Sequence, residues 1–227
     1  MSTPTKSDLH KKTRARIMLV LFVLLISLFI VACGDADDAT EDVPVSLGEA
    51  QNAYESGDFE GASADLEAMV VDDPENLEAR RSLALALAAQ GDNEGAIEQY
   101  LAIIEGDPID HASFYRLALL ERVIGLSQEA AGHLETAVEL LPRDTSYRDE
   151  FARTLAQLGH YMGAAEQWGA VLEDQDLSDE SRVALLKLQG ETYVNAKEYA
   201  LAQQAFEAAL VLAPNDEALK TRLESFE

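Results

Sequence analysis

Three prolines, Pro74, Pro108 and Pro142, stand 34 residues apart, and Pro214 follows Pro142 after two further periods plus four residues. A period of that length, sustained over most of a chain, restricts it to a stack of similar units, because one short helical pair cannot bury its apolar face alone. Aligning on the prolines brings Gly57, Gly91, Gly125 and Gly159 together, then Ala62, Ala96, Ala130, Ala164 and Ala202. Four residues after each of those alanines comes a large apolar side chain: Leu66, Tyr100, Leu134, Trp168 and Phe206. In the first half of the unit Ala50, Ala84, Ala118, Ala152 and Gly190 align. Each unit therefore reads as two amphipathic segments of about 14 residues, with small residues where the paired helices approach. The glycine predicts a left-handed cap on the first helix, and the proline, which cannot continue a helix, marks the end of the second. Asn76, Asp110, Asp144 and Asp216, each two residues past a proline, are expected N-caps, and Ser46 with Glu49 forms a capping box.

The fourth-to-fifth junction departs from the pattern. Asp176 stands where proline is expected, Ser178 holds the cap position, and four extra residues, 179–182, follow. Four residues are close to one helical turn, so the fifth unit's first helix is expected to start one turn early, at about Asp179, with its apolar face in phase. Lys197 replaces the turn glycine, which predicts that this hairpin is the least regular. Leu219, Leu223 and Phe226, at helical spacing, predict a capping helix over the last hairpin.

Small residues at the eighth and twentieth positions, a large apolar residue at the twenty-fourth and proline at the thirty-second resemble the tetratricopeptide repeat family over about residues 43–216. The resemblance implies an all-α fold: a right-handed superhelical solenoid of about five helix-turn-helix units (43–76, 77–110, 111–144, 145–182 and 183–216) with a cap at 217–227. In that family the first helices line a concave groove that takes a protein or peptide partner, and the second helices form the convex back. The family's groove positions fall here on Leu47, Gln51 and Tyr54; Arg81, Leu85 and Ala88; Tyr115, Leu119 and Arg122; Asp149, Arg153 and Ala156; and Lys187, Glu191 and Val194. Some chaperone-binding members clamp a terminal carboxylate at set groove positions. Here those positions hold Leu47, Gln51, Ser82 and Ala112, and Arg116 alone matches in charge. Arginine and tyrosine in a concavity are typical binding anchors, so the candidate partner-binding residues are Tyr54, Arg81, Tyr115, Arg116, Arg122, Arg153 and Lys187. Two readings of the bases stand side by side. They receive a segment of acidic and apolar character, or they balance neighbouring acids on an acidic fold.

Charge narrows the partners. The formal net charge is −25, yet the first 33 residues hold five bases and one acid, leaving 12 bases against 41 acids in the remainder. So acidic a surface repels phosphate backbones, which excludes nucleic acid. The second segments, 58–73, 92–107, 126–141, 160–176 and 198–213, contain no lysine or arginine, so the back of the stack is expected to be negative.

The amino terminus reads as an address. Bases at residues 6–16 precede an apolar run, Ile17 to Ala32, broken only by Ser27 and ended by Cys33. Ile30-Val31-Ala32-Cys33 resembles a bacterial lipobox, which implies cleavage before Cys33 and its lipidation, with 1–33 as signal peptide. The other reading is an uncleaved anchor, although sixteen helical residues span about 24 Å against a hydrocarbon core of about 30 Å. Both readings keep the bases cytoplasmic and put residues from 34 onward outside. Residues 34–45, rich in acids and free of bases, read as a flexible tether of at most about 40 Å. The implied location is the extracytoplasmic side of a bacterial envelope: the periplasmic face of the outer membrane where there are two membranes, the outer face of the cell membrane where there is one.

No zinc helix, phosphate loop, nucleophile elbow or dinucleotide fingerprint occurs, and His10, His111, His133 and His160 occupy unrelated places in the repeat. The sequence therefore gives no sign of an enzyme, a metal site or a cofactor. It fits a membrane-anchored scaffold for protein–protein interaction in the envelope, such as the assembly of an envelope or pilus complex. The other readings are an accessory of a cell-wall enzyme and a carrier of a small ligand in the groove. Metabolic labelling with a clickable fatty-acid analogue is expected to mark the wild-type protein and leave Cys33→Ser unlabelled; equal labelling of both rejects lipidation at Cys33.

Overall fold

The computed structural model describes residues 46–226, which form eleven α-helices and no strand among the described residues. The export segment, Cys33 and the tether assigned to 34–45 lie outside the described residues. Five hairpins follow one another: α1 (Leu47–Ser56) with α2 (Phe59–Asp72), α3 (Leu77–Gln90) with α4 (Asn93–Gly106), α5 (His111–Val123) with α6 (Ser127–Leu140), α7 (Thr145–Gln157) with α8 (Tyr161–Leu172), and α9 (Asp179–Asn195) with α10 (Tyr199–Leu212). Helix α11 (Glu217–Glu224) ends the series. Every even-numbered helix packs on its own partner and on the first helix of the next unit, so the chain builds a solenoid.

The aligned small residues lie where the helices cross. Ala62, Ala96, Ala130, Ala164 and Ala202 are wholly buried, as are Ala50, Ala84, Ala118 and Ala152. The large residue one turn further on, Leu66, Tyr100, Leu134, Trp168 or Phe206, is buried in each unit. Burial of a side chain of this class stabilises by roughly 1.5–3 kcal/mol, and this column recurs at every step of the stack. Gly190 takes the alanine place in the fifth unit because the Phe206 ring occupies the space: a Cβ there would lie 2.5 Å from ring carbon Cε1.

Side chains start every first helix. Ser46 and Glu49 form the capping box, and Asn76, Asp110, Asp144 and Asp216 accept backbone N–H bonds from Ala79, Ser113, Tyr147 and Leu219. Helix α9 begins at Asp179 with Ser178 as its cap, one turn early, as the four-residue insertion predicts. At this junction Arg182 donates to the carbonyls of Leu172 (2.8 Å), Leu177 (3.3 Å) and Asp174. The guanidinium thereby satisfies acceptors left over at the end of α8, where the other junctions have proline. At the far end Leu219 is buried against Phe206, with Leu223 and Phe226 packed beside it, which makes α11 the cap.

The expectation for the fifth hairpin needs correction. Lys197 adopts φ +64°, joining Gly57, Gly91, Gly125 and Gly159 at +81° to +88°. Its turn is closed by the same two bonds as the others: Lys197 N–H to Val194 O and Glu198 N–H to Tyr193 O match Gly91 N–H to Ala88 O and Asp92 N–H to Leu87 O. The hairpin is thus regular, because packing on both sides fixes the turn and the lysine backbone takes up the strain. Lys197→Gly is expected to raise stability by about 0.5–1 kcal/mol, and Gly190→Ala to lower it by about 1–3 kcal/mol through overpacking against Phe206. Urea unfolding followed by circular dichroism measures both.

Candidate functional site

The odd-numbered helices stand side by side, and the side chains between them define one face. Arg81 of α3 reaches Asp110, the cap of α5, at 2.6 Å. Arg122 of α5 pairs with Glu150 of α7, and Lys187 of α9 with Asp216, the cap of α11. Arg222 of α11 returns to Glu191 of α9 at 2.7 Å. Arg153 bonds Asp149 on its own helix at 2.9 Å, and Asp149 also accepts from the Trp168 indole at 2.8 Å. Balance of neighbouring acids therefore describes Arg81, Arg122, Arg153 and Lys187. Arg116 differs: it is exposed and enters none of these ion pairs among the described residues.

Other bases serve the frame. Arg80 donates to Pro74 O and to Gln99 Oε1, both at 2.9 Å, and two periods later Arg148 repeats this with Pro142 O (2.9 Å) and Gln167 Oε1 (2.7 Å). These arginines tie the proline turn to the hairpin that follows it. The even-numbered helices carry no base, and their acids, among them Glu67, Glu98, Glu135, Glu139 and Glu166, are exposed, so the back is negative.

Aromatic residues gather around the centre of the odd-helix face. Tyr115 of α5 stacks on Tyr147 of α7 with ring centres 4.5 Å apart, and the Tyr147 hydroxyl meets His111 Nδ1 at 2.9 Å. Burial pushes the hydroxyls of Tyr100, Tyr115 and Tyr147 up, with Arg116 opposing the rise at all three, so the guanidinium lies within electrostatic reach of each. Tyr54 lies within the same reach of Tyr100 and lines a cavity of about 360 Å³ with Ala50, Gln51, Glu55, Leu66, Ser82 and Leu85. The sequence-predicted residues thus divide. Tyr54, Arg81 and Arg116 act electrostatically on the Tyr100 hydroxyl, and Arg116 and Arg122 on that of Tyr115. Arg153 and Lys187 are engaged further along the array. A larger hollow of about 660 Å³, lined by Pro142, Arg143, Arg148, Glu173, Asp174 and Asp176, lies among inter-unit loops and shares no residue with the groove positions.

Sequence reasoning missed Tyr147 as a member of this face. It also missed a buried pair: Glu121, only 4% exposed, bonds His133 Nδ1 at 2.8 Å inside the third hairpin. A signal existed, since Glu121 stands one period from Leu87 and Leu155 in an otherwise apolar column. Among the described residues no group of three or more His, Cys, Asp or Glu side chains is placed to hold a metal ion.

A tetratricopeptide repeat family model matches residues 47–110, 89–145 and 150–217. Among solved structures, YrrB, described as a TPR protein with an unusual peptide-binding site, superposes with a TM-score of 0.65 at 21% identity, over 82% of this chain and 94% of that one. MamA gives 0.63 at 19% identity, over 75% of this chain and 96% of its own. A tetratricopeptide repeat protein from Parabacteroides merdae gives 0.62 at 18% identity, over 79% and 70%. Identities this low speak for the fold alone. No curated protein matches the chain in sequence.

Asp110 carries the acid sensitivity of this face. Burial works against its charge, but hydrogen bonds from Ser113 and Arg81 outweigh it and hold the carboxyl below the ordinary range. A lowered folded value means that the stabilisation is present above the unfolded value, about 3.9, and is lost as pH falls below it through the folded value. Asp110→Ala is expected to cost about 1 kcal/mol at pH 7 through the lost cap and bonds, a deficit that shrinks as the pH falls from about 5 towards 3. Urea midpoints measured across that range check it.

Proposed function

Because this chain belongs to the tetratricopeptide repeat family, we propose that it works as a non-catalytic scaffold that holds another protein on its odd-helix face while a lipid on Cys33 keeps it at the extracytoplasmic side of a bacterial envelope. The observation that carries the reading is the contrast between the two sides of the solenoid. The even helices present acids without a lysine or arginine, whereas the odd helices gather tyrosines and arginines and border a cavity of mixed polar and apolar lining. A partner segment with acidic and apolar side chains is repelled by the first surface and complemented by the second. Tyrosine and arginine bring large contact area and directional donors to such a face at low ordering cost.

The anchoring half of the proposal rests on the apolar run from Ile17 and on the Ile30–Cys33 sequence. Within it, assembly of an envelope or pilus complex is the proposed setting, and support of a cell-wall enzyme would use the same face. The peptide-binding site in YrrB's description gives precedent for a peptide ligand on a related fold.

In-cell photo-crosslinking tests the scaffold. A diazirine residue at Leu85 or Leu119 is expected to trap the same protein partner, and one at Glu98 or Glu139 on the back is expected to trap none. Adducts from the back alone would reject the assignment of the binding face.

A further inference from the structure

Each odd helix begins at an inter-unit loop and ends at a hairpin turn, so the five hairpin turns form one edge of the solenoid and the inter-unit loops form the opposite one. The two parts of the turn edge differ in charge. Over the aligned stretches 55–60 and 89–94 the first two turns hold Glu55, Asp58, Glu60, Asp92 and Glu94 and no base. The corresponding stretches 123–128, 157–162 and 195–200 hold one acid, Glu198, offset by Lys197, together with His160. In place of the acids stand apolar side chains open to solvent: Val123 (71% exposed), Ile124, Leu126, Met162 and Tyr199 (55%). These are five of the ten large apolar side chains left exposed among the described residues. The remainder are spread over the first, second and fifth hairpins, away from this edge.

The same three turns give up local stability. Asp58 and Asp92 cap α2 and α4 through their carboxylates, whereas Leu126, His160 and Glu198, at the equivalent place, make no side-chain bond to α6, α8 and α10. Lys197 takes φ +64° where the other four turns have glycine. Successive departures from the locally favoured residue, on one edge and joined with exposed apolar groups, mark a surface kept for contact with something outside the chain.

Charge selects what that is. An anionic bilayer repels the acidic even helices and the first two turns, and the third to fifth turns are the stretch of this edge that can approach it without repulsion. The apolar groups sit on the tips of turns rather than in a concave seat, which suits shallow entry among headgroups, and tyrosine, with an apolar ring and a polar hydroxyl, favours that depth. Among the described residues no helix is long and apolar enough to cross a membrane, so such contact is interfacial. Reach is adequate. The first helix starts after Ser46 at the loop edge, and a helix of 14 residues is about 21 Å long, against a limit of about 40 Å for the tether read over 34–45.

We infer that the turn edge of the third, fourth and fifth hairpins is a membrane-contact surface, with Leu126, Met162 and Tyr199 entering the headgroup layer of the bilayer that anchors the chain. The helices then stand upright on the membrane, and the odd-helix face opens sideways, clear of the lipid. The inference rests on the anchoring half of the reading above and adds to it the orientation of the domain.

Quenching of tryptophan by brominated phospholipids tests it, with the full chain reconstituted into vesicles of phosphatidylethanolamine and about 30% phosphatidylglycerol. Trp168, 3% exposed, is the internal reference. Further tryptophans are placed one at a time: Leu126→Trp, Met162→Trp and Tyr199→Trp on the edge, Glu94→Trp on the second turn and Glu139→Trp on the back. The three edge variants are expected to lose about a third or more of the added fluorescence to chains brominated near the headgroup, and the wild type, Glu94→Trp and Glu139→Trp less than about a tenth. Leu126→Asp restores the capping residue of the first two turns, so it is expected to keep or raise the Tm while cutting the quenching at Met162→Trp by about half. Edge tryptophans quenched no more than Glu94→Trp in a chain that floats with the vesicles would overturn the inference and leave the anchoring intact; a chain that fails to float removes both. Quenching at Met162→Trp indifferent to Leu126→Asp would also overturn it. An unquenched edge with a doubled mass in light scattering would assign the surface to a second copy of the chain, and an unquenched edge that photo-crosslinks to another protein would assign it to that protein; either result rejects the membrane.

Discussion

Everything in this molecule depends on how closely two helices can lie when the residues at their crossing are alanine. Ala62, Ala96, Ala130, Ala164 and Ala202 leave no accessible surface, and the bulky residue one turn later fills the space that opens beside the contact. Larger side chains at the crossing would push the helices apart, and the bulky column would lose its fit. The fifth unit shows how sharply this is set, since Phe206 leaves no space for even a methyl group at 190. Stability in such an array is carried by contacts between neighbours, and a fault at one step weakens the steps on either side of it.

Much of this was legible in the chain. Period, small residues, prolines and caps are local or periodic features, and the early start of α9 followed from the length of one helical turn. What was not legible depends on contacts between repeats. Nothing in the sequence says that Arg81 reaches across 29 residues to Asp110, or that Arg148 folds back on Pro142. Lys197 was misjudged for a related reason: propensity speaks for an isolated residue, whereas the packed hairpin imposes its own backbone geometry. The candidate face was half legible. Family positions pointed to Tyr54, Arg81, Tyr115 and Arg122, but Tyr147 stands at none of them, and only the structure shows it stacked on Tyr115.

The bases also illustrate why residue type alone is a poor guide to binding. Exposed ion pairs contribute little to stability, about 0–1 kcal/mol each, yet several here join successive odd helices and restrict how far each can tilt against the next. Arg80, Arg148 and Arg182 bind backbone carbonyls at the ends of helices and so belong to the frame. Subtracting these roles from an inventory of positive charge leaves Arg116, Arg143 and Lys197, of which Arg116 alone stands on an odd helix, a distinction that no count of arginines could make.

A perfectly periodic trough would give an occupant several equal seats, and a bound chain could slide from one to the next. The longer helix α9 breaks that equality, because its extra turn adds about 6 Å to one wall and no other odd helix has it. The interruption works like a missing tooth on a rack: it marks one step of the array as different from the rest and so gives the stack a direction.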